Sequence, residues 1–370
     1  MGTSAANASM GVGMRGMRVY RRSGPPVSRS GSIEIPQECS ELEALARLAP
    51  SQARFEELAR VDMGLRRFPV TGVFLGPDDP TRPLLIVVGG VHGLERIGSR
   101  VVLSFLRTML ERVSWDETLQ RELERARMLF IPVLNPGGIA LGLRSNPKGV
   151  DLMRNAPTPD SSESTPLIGG HRISPWLPWY RGDEQGRPEL ETSALLDTVA
   201  KHAHKASSVV SIDVHSGFGL QDRLWFPYAR TRAPMHHLAE VGRIAELLDA
   251  AHPQHIYRIE PQAQAYTISG DLWDFMYDAY REANPVGTFV PLTLEMGSWL
   301  WVKKNPRQLT SRDGPFNPQR PHRERRIRRR HFTLLDFLWR CVASPSAWAV
   351  RSDEARAQSQ RDAFARWYAA

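Results

Sequence analysis

The hydrophobic positions of this chain form short apolar runs that alternate with stretches of helical periodicity. The apolar runs predict five strands, over residues 68–76, 84–88, 127–136, 208–215 and 289–296. Apolar residues recur at helical spacing from Glu95 onward, which predicts a helix, and further helices are expected over 189–205 and 235–251. This order predicts one large α/β domain with a mixed, mostly parallel, twisted sheet flanked by helices.

Segment 156–188 interrupts this alternation and is expected to be a long loop, because it holds five prolines before Pro188. In mostly parallel sheets, functional groups collect where the strands reach their carboxyl ends. The residues that follow the predicted strands are therefore the first place to look for chemistry.

Length and composition limit the size of the core and the cellular setting of the protein. A chain of 370 residues with 41% apolar content can bury a full core. Its apolar runs are too short to cross a bilayer, and its start lacks the apolar stretch of a signal peptide. Cys39 and Cys341 are expected to be reduced thiols of a cytoplasmic protein, with no membrane partner. We predict three regions: a flexible leader over 1–30, a main domain over 31–345 and a helical extension over 346–370.

The net charge of +8 is concentrated in one place. Residues 320–330 hold seven Arg and one Glu, a balance of +6, which leaves about +2 for the rest of the chain. Such a patch can contact nucleic acid, anionic lipid or an acidic substrate. The simpler interpretation, which we favour, is the solvated start of a helix that continues through 332–342. Nucleic acid is then an unlikely partner.

Residues able to bind a metal follow three of the predicted strands. His92 and Glu95 lie in Gly-Gly-Val-His-Gly-Leu-Glu after the second strand, His215 ends the fourth, and Glu295 ends the fifth. Two imidazoles and one carboxylate, with a fourth position left open, are typical ligands of a catalytic zinc. A lone histidine at a strand end is more often structural, and a buried glutamate needs a partner. It is the occurrence of all four in order at strand ends that predicts a site.

With these residues in place, the chain resembles the zinc carboxypeptidases, the M14 metallopeptidase family. The resemblance rests on five ordered segments: GGVHGLE (89–95), RSNPKGVDLMRN (144–155), IDVHSG (212–217), YTISGDLWD (266–274) and LTLEMG (292–297). It implies a zinc-carboxypeptidase-like sheet of about eight strands and identifies 31–345 as a zinc hydrolase domain. It also implies one bound Zn²⁺ and hydrolysis of an amide bond in a peptide or peptide-like substrate.

The resemblance also implies residue roles. It assigns the zinc ligands to His92, Glu95 and His215, the general base to Glu295, and the outer carboxylate that orients His92 to Asp151. It assigns the remaining contacts to Arg144 on the scissile carbonyl, Arg154 on a substrate carboxylate, Tyr266 closing over the substrate, and Trp273 shaping the specificity pocket. Asparagine normally precedes this arginine in the family, but here Met153 stands there and offers no useful donor or acceptor. One of the two contacts that the family offers to a terminal carboxylate is therefore missing, and we do not expect the usual removal of a C-terminal amino acid.

Two other functions stay open at this stage. An N-acyl-amino-acid deacylase of the aspartoacylase and succinylglutamate desuccinylase type shares the metal motifs and would act on an acyl-amino-acid substrate. A non-catalytic binding protein that uses the arginine-rich patch is a more distant alternative.

Two further histidines, His202 and His204, lie late in a polar helix and are expected to be exposed.

Overall fold

The computed structural model describes residues 33–369, except 65, 184, 218 and 351. The leader predicted over 1–30 lies outside the described residues. Eight strands form one sheet in the order β1-β2-β4-β3-β5-β8-β6-β7. Their bounds are β1 Ala53–Asp62, β2 Arg67–Leu75, β3 Leu84–Gly89, β4 Arg127–Ile131, β5 Ser208–Ser216, β6 Arg223–Phe226, β7 Arg258–Pro261 and β8 Thr288–Met296.

Ten α-helices surround the sheet in the part of the chain that the structure describes. They are α1 Gln37–Arg47, α2 Arg96–Arg112, α3 Glu117–Leu123, α4 Pro136–Leu141, α5 Leu190–Ala203, α6 Leu238–Ala251, α7 Leu272–Ala283, α8 Trp299–Lys304, α9 Pro321–Ala343 and α10 Asp353–Trp367. None of these helices is long and apolar enough to cross a membrane.

The sheet confirms the predicted fold class. Its centre, β4-β3-β5-β8, is parallel, and β2 and β6 join that centre in antiparallel orientation. Every residue of β3, β4 and β5 is buried, which accounts for the apolar runs at 84–88 and 128–131. Helices α2 and α9 pack on each other and on β3 and β5, while α5 and α7 pack on each other and contact β1 and β8.

Three strands were not predicted. The edge strand β1 is only partly buried and carries charged residues, so it shows no apolar run. Strands β6 and β7 have four residues each, too few for a periodic pattern. Pairing with a neighbouring strand, rather than local sequence, defines all three.

The arginine-rich stretch forms the first half of α9, as the simpler interpretation expected.

The expectation for His202 is wrong: it is 6% exposed and its ring packs against Phe74, with 4.7 Å between ring centroids. A polar helix pattern does not reveal which of its positions meets the sheet.

The predicted boundaries near 31 and 346 stay predictions, although α10, which packs on α6, lies within the predicted extension.

Candidate metal centre

The predicted metal ligands are carried by two adjacent strands of the sheet. His92 lies in the loop after β3 and Glu95 directly precedes α2, while His215 is the penultimate residue of β5. Since β3 and β5 are parallel neighbours, their carboxyl ends meet at one edge. Gly93 lets this loop pass close to α4, because a Cβ there would lie 2.1 Å from the carbonyl carbon of Gly138.

The three side chains converge on one point. His92 Nδ1 lies 2.9 Å from Glu95 Oε1, and His215 Nδ1 lies 3.0 Å from Glu95 Oε2. The two Nδ1 atoms are 3.1 Å apart. All three side chains are buried, and their ligand atoms fall within 4.8 Å of one another. Each residue thus offers one ligand atom to the same small volume, which suits a single zinc ion.

A buried aspartate holds each imidazole on its far side. Asp151 Oδ1 lies 3.0 Å from Nε2 of His92, and Asp213 Oδ2 lies 2.9 Å from Nε2 of His215. The second contact has ion-pair distance without the alignment of a hydrogen bond. Carboxylates in these positions keep the proton on Nε2 and leave Nδ1 as the ligand atom. This is the arrangement expected around a bound metal.

The electrostatics of the centre favour a cation. Burial opposes charge at every group, yet Asp213 and Glu95 raise the pKa of His215 well above its ordinary value. Burial would likewise raise the pKa of Glu95, but the two imidazoles hold it well below its usual range. Arg154 does the same for the pKa of buried Asp151. The carboxylates are therefore charged and ready to compensate a metal ion.

Glu295 lies beside the ligands on the next strand. It pairs in register with His215 across the parallel strands β5 and β8, so the two side chains point to the same face. It is 8% exposed, and Arg223 of β6 is its register neighbour on the other side. The fold thus brings the predicted base to the edge that carries the ligands.

Arg144 also reaches the centre. Its Nη1 donates to Glu95 Oε1 at 2.8 Å and its Nε donates to Asp151 Oδ2 at 3.2 Å. Burial works against its charge, but the two carboxylates raise its pKa further. The side chain keeps 23% of its surface exposed, although its guanidinium contacts the site carboxylates.

Arg154 has a different environment from the one its expected role requires. It is 2% exposed, and its Nη1 donates to Asp151 Oδ2 at 3.0 Å. Its Nε and Nη2 both donate to the carbonyl oxygen of Ile168, at 3.1 and 2.9 Å. Ile168 belongs to the long loop 156–188, which therefore covers this guanidinium. Arg154 would have to leave both partners to meet a substrate carboxylate.

The two aromatic residues differ in position. Tyr266 is half-buried, contacts the edge of Trp225 at 6.1 Å between ring centroids, and lies close enough to Arg144 for their charges to interact. Trp273 is 2% exposed, and its Nε1 donates to Asp213 Oδ2 at 3.0 Å. Trp273 therefore contacts the carboxylate behind His215 and has almost no surface to offer a substrate.

Asp213 is the residue that sequence reasoning missed. It precedes His215 by two positions on β5, and side chains two apart on a strand share a face. A charged residue inside the otherwise apolar run Val-Val-Ser-Ile-Asp-Val-His was the available signal, because a fully buried carboxylate requires partners. Its contacts with His215 and Trp273 supply them.

The fold and the site together define an α/β protein with a metal centre at the carboxyl edge of its sheet. A model of the family described as zinc carboxypeptidase (Peptidase_M14) matches residues 52–298, about two thirds of the chain. The chain belongs to this zinc carboxypeptidase family, which confirms the resemblance found in the sequence.

Individual relatives match shorter stretches. Carboxypeptidase E of Caenorhabditis elegans is 32% identical over 99 residues, covering 23% of this chain and 21% of that protein. Carboxypeptidase D of Drosophila melanogaster is 30% identical over 129 residues, covering 32% of this chain and 9% of that protein. The chain thus matches about a fifth or less of the length of these relatives.

Solved structures are similar in fold. Thrombin-activatable fibrinolysis inhibitor has a TM-score of 0.60 at 16% identity, covering 84% of this chain and 73% of that one. Carboxypeptidase A from Helicoverpa armigera has a TM-score of 0.59 at 18% identity, covering 84% and 72%. At such identities the likeness is one of architecture.

Proposed function

We propose that the protein is a zinc-dependent hydrolase of an amide bond in a peptide or peptide-like substrate, with Glu295 as general base. The observation that carries this proposal is the convergence of His92, Glu95 and His215, with Glu295 in register beside His215. Membership of the zinc carboxypeptidase family supports the same chemistry.

Zinc, when bound, supplies a Lewis acid that polarises a carbonyl and lowers the pKa of water toward about 7. The protein's own groups do the rest. Glu295 accepts a proton from the attacking water and delivers it to the departing amine nitrogen. The exposed part of Arg144 donates to the oxyanion that develops on the carbonyl, and its planar guanidinium stays charged throughout.

The surroundings of Arg154 bear on the substrate. Its Nε and Nη2 meet the Ile168 carbonyl in the two-pronged manner in which arginine otherwise meets a carboxylate. Met153, which precedes it, is 8% exposed and apolar. Neither residue offers a ready contact for a free terminal carboxylate. We therefore propose an amidase-type reaction that does not depend on one.

The proposal is tested with Glu295→Gln. We expect this variant to bind zinc in the same ratio as the wild type but to lose turnover by about two to four orders of magnitude, because no base accepts the proton. Metal analysis of purified protein and hydrolysis of a peptide panel measure the two quantities. The exposed Glu282→Gln is the control and should retain turnover. Full turnover by Glu295→Gln would remove that residue from the mechanism.

The same peptide panel tests whether the substrate needs a free C-terminal carboxylate. Each peptide is supplied with a free C-terminal carboxylate and as its C-terminal amide. Arg154 already donates hydrogen bonds to Asp151 and Ile168. We therefore expect kcat/KM for each amidated peptide to stay within about threefold of kcat/KM for the same peptide with a free C-terminal carboxylate. A loss of about a hundredfold or more on amidation would show that Arg154 leaves its partners to bind the carboxylate.

A further inference from the structure

The largest concentration of positive charge in this protein lies in one segment. Residues 297–330 hold eleven Lys and Arg against two Asp and Glu, a balance of +9. The whole chain carries +8, so all other residues together carry −1. A concentration of this size creates a strong local positive field.

This segment borders the metal centre. It begins two residues after Glu295, and its middle returns to the ligand loops. There the Ser216 hydroxyl donates to the carbonyl of Phe316 at 2.8 Å. The Asn317 side chain donates to the carbonyl of Leu94 at 2.7 Å, one residue before Glu95. Segment 297–330 is thus fixed to both loops that carry metal ligands.

Exposed cations occupy other positions of the same segment. Arg320 follows Asn317 by three residues, a span of at most about 11 Å. Arg323 donates from Nη1 to the carbonyl of Trp301 at 3.3 Å, which holds the end of α8 against the start of α9. We call six exposed side chains the basic rim: Lys303, Lys304, Arg320, Arg325, Arg326 and Arg329. The screening length is about 8 Å at physiological ionic strength and about 30 Å at 0.01 M, so the field of the rim acts over a longer distance at low salt.

The rim is not neutralised by the protein itself. Within residues 33–369 as described, none of its six side chains has a carboxylate at ion-pair distance. Glu324, the acid inside the stretch, accepts from Arg100 and Arg328 instead. Arg320 of the rim is also the N-cap residue of the 23-residue helix α9, a position where the helix dipole favours negative charge. Stability does not explain this placement, and such a locally unfavourable choice is expected where a function requires it.

We propose that the basic rim binds acidic side chains of the peptide substrate, near the bond to be cleaved. This inference rests on the proposed hydrolase function. An extended peptide advances about 3.3 Å per residue, so carboxylates roughly three to six residues from the scissile bond lie about 10 to 20 Å from it, and these are the substrate groups that the rim would attract. Attraction at this range raises the rate of encounter and lowers KM without altering the chemical step.

Binding is measured first, separately from turnover. Zinc-loaded Glu295→Gln protein is titrated into two fluorescein-labelled peptides that differ only in Glu or Gln at the flanking positions. At about 20 mM salt we expect the Glu peptide to bind about tenfold more tightly, and at about 300 mM salt within about twofold. Equal binding of the two peptides at low salt would overturn the proposal.

Matched variants locate the effect. In the same background, the rim variant K303Q/K304Q/R325Q/R326Q should lose the preference for the Glu peptide. The control R121Q/R125Q/K201Q/K205Q removes the same charge from exposed positions at the amino ends of β4 and β5, the opposite edge of the sheet. This control should keep the preference. Equal loss in both variants would mean that net charge alone acts, which contradicts a rim site.

Two further measurements complete the test. The rim variant with Glu295 intact should hydrolyse the Gln peptide at the wild-type rate and show a higher KM only for the Glu peptide. A preference in binding without hydrolysis of either peptide would contradict the proposed function and leave the rim intact. Rim-dependent binding of duplex DNA or phosphatidylserine vesicles that exceeds binding of the Glu peptide would assign the rim to that partner and overturn the proposal.

Discussion

At the scale of single residues, the two imidazoles of the metal centre have different supports. His92 is held by Asp151, which also accepts from Arg144 and Arg154. His215 is held by Asp213, which also accepts from the Trp273 indole. The first support is ionic and anchored by loops. The second is anchored by the packed face between β5 and α7 and should be the more rigid of the two.

Asp213→Asn tests the support of His215. The variant keeps the shape of the side chain but removes the charge next to Nε2, so His215 becomes a weaker and less oriented ligand. We expect the zinc affinity to fall about 10- to 100-fold, as measured by competition with a coloured chelator. The exposed Asp197→Asn serves as the control. An unchanged affinity would show that packing, not Asp213, sets the orientation of His215.

At the scale of elements, a buried ion pair ties the first helix to the ligand loop. Glu38 of α1 is 1% exposed and accepts from Arg96 at 3.0 and 2.7 Å and from Arg100 at 2.7 Å. Arg96 is the first residue of α2 and follows Glu95 directly. The position of a metal ligand is therefore coupled to a helix almost sixty residues earlier in the chain.

Glu38→Gln should destabilise the fold, because it leaves the partly buried Arg96 without its carboxylate and leaves Arg100 with Glu324 alone. The arginines retain some exposure to water, so we expect a loss of about 2 kcal/mol in the free energy of unfolding, measured by urea denaturation. Glu43→Gln on the same helix is the control, since its pair with Arg47 is exposed and should matter by less than about 0.5 kcal/mol. Similar losses of stability in both variants would contradict the proposed coupling between α1 and the ligand loop.

At the scale of the whole molecule, three buried histidines make stability depend on pH. Burial lowers the pKa of His202 and of His331 to about 4, and of His237 to about 3. In the unfolded chain these groups titrate near 6.5. The unfolded state therefore binds protons first as the pH falls, and stability is present above about pH 6.5 and is lost progressively toward pH 4.

We expect the free energy of unfolding to fall between pH 7.5 and 5.0 by on the order of 1 kcal/mol for each of these histidines. Urea titrations of metal-free protein at both pH values measure this, which keeps metal release out of the comparison. His237→Gln should show a smaller fall than the wild type, because one proton-binding group is gone. An identical fall in the variant would remove His237 from the pH dependence.

Much of the architecture could be predicted because it rests on local patterns. The buried central strands have continuous apolar runs, and α2 and α6 have clear periodicity, so the fold class followed from their order. The short strands β6 and β7 and the half-polar edge β1 carry no such pattern. They exist because a neighbouring strand offers hydrogen bonds, which is information held in the sheet rather than in the segment.

The sequence alone identified the candidate metal ligands, since His92, Glu95 and His215 stand where buried strands end and parallel strands bring their ends together. Only the tertiary structure decided what surrounds them. Loop 156–188 places a carbonyl on Arg154, and α7 brings Trp273 to Asp213. A contact between distant segments depends on how each element packs, and packing is a property of the whole chain that no single stretch encodes.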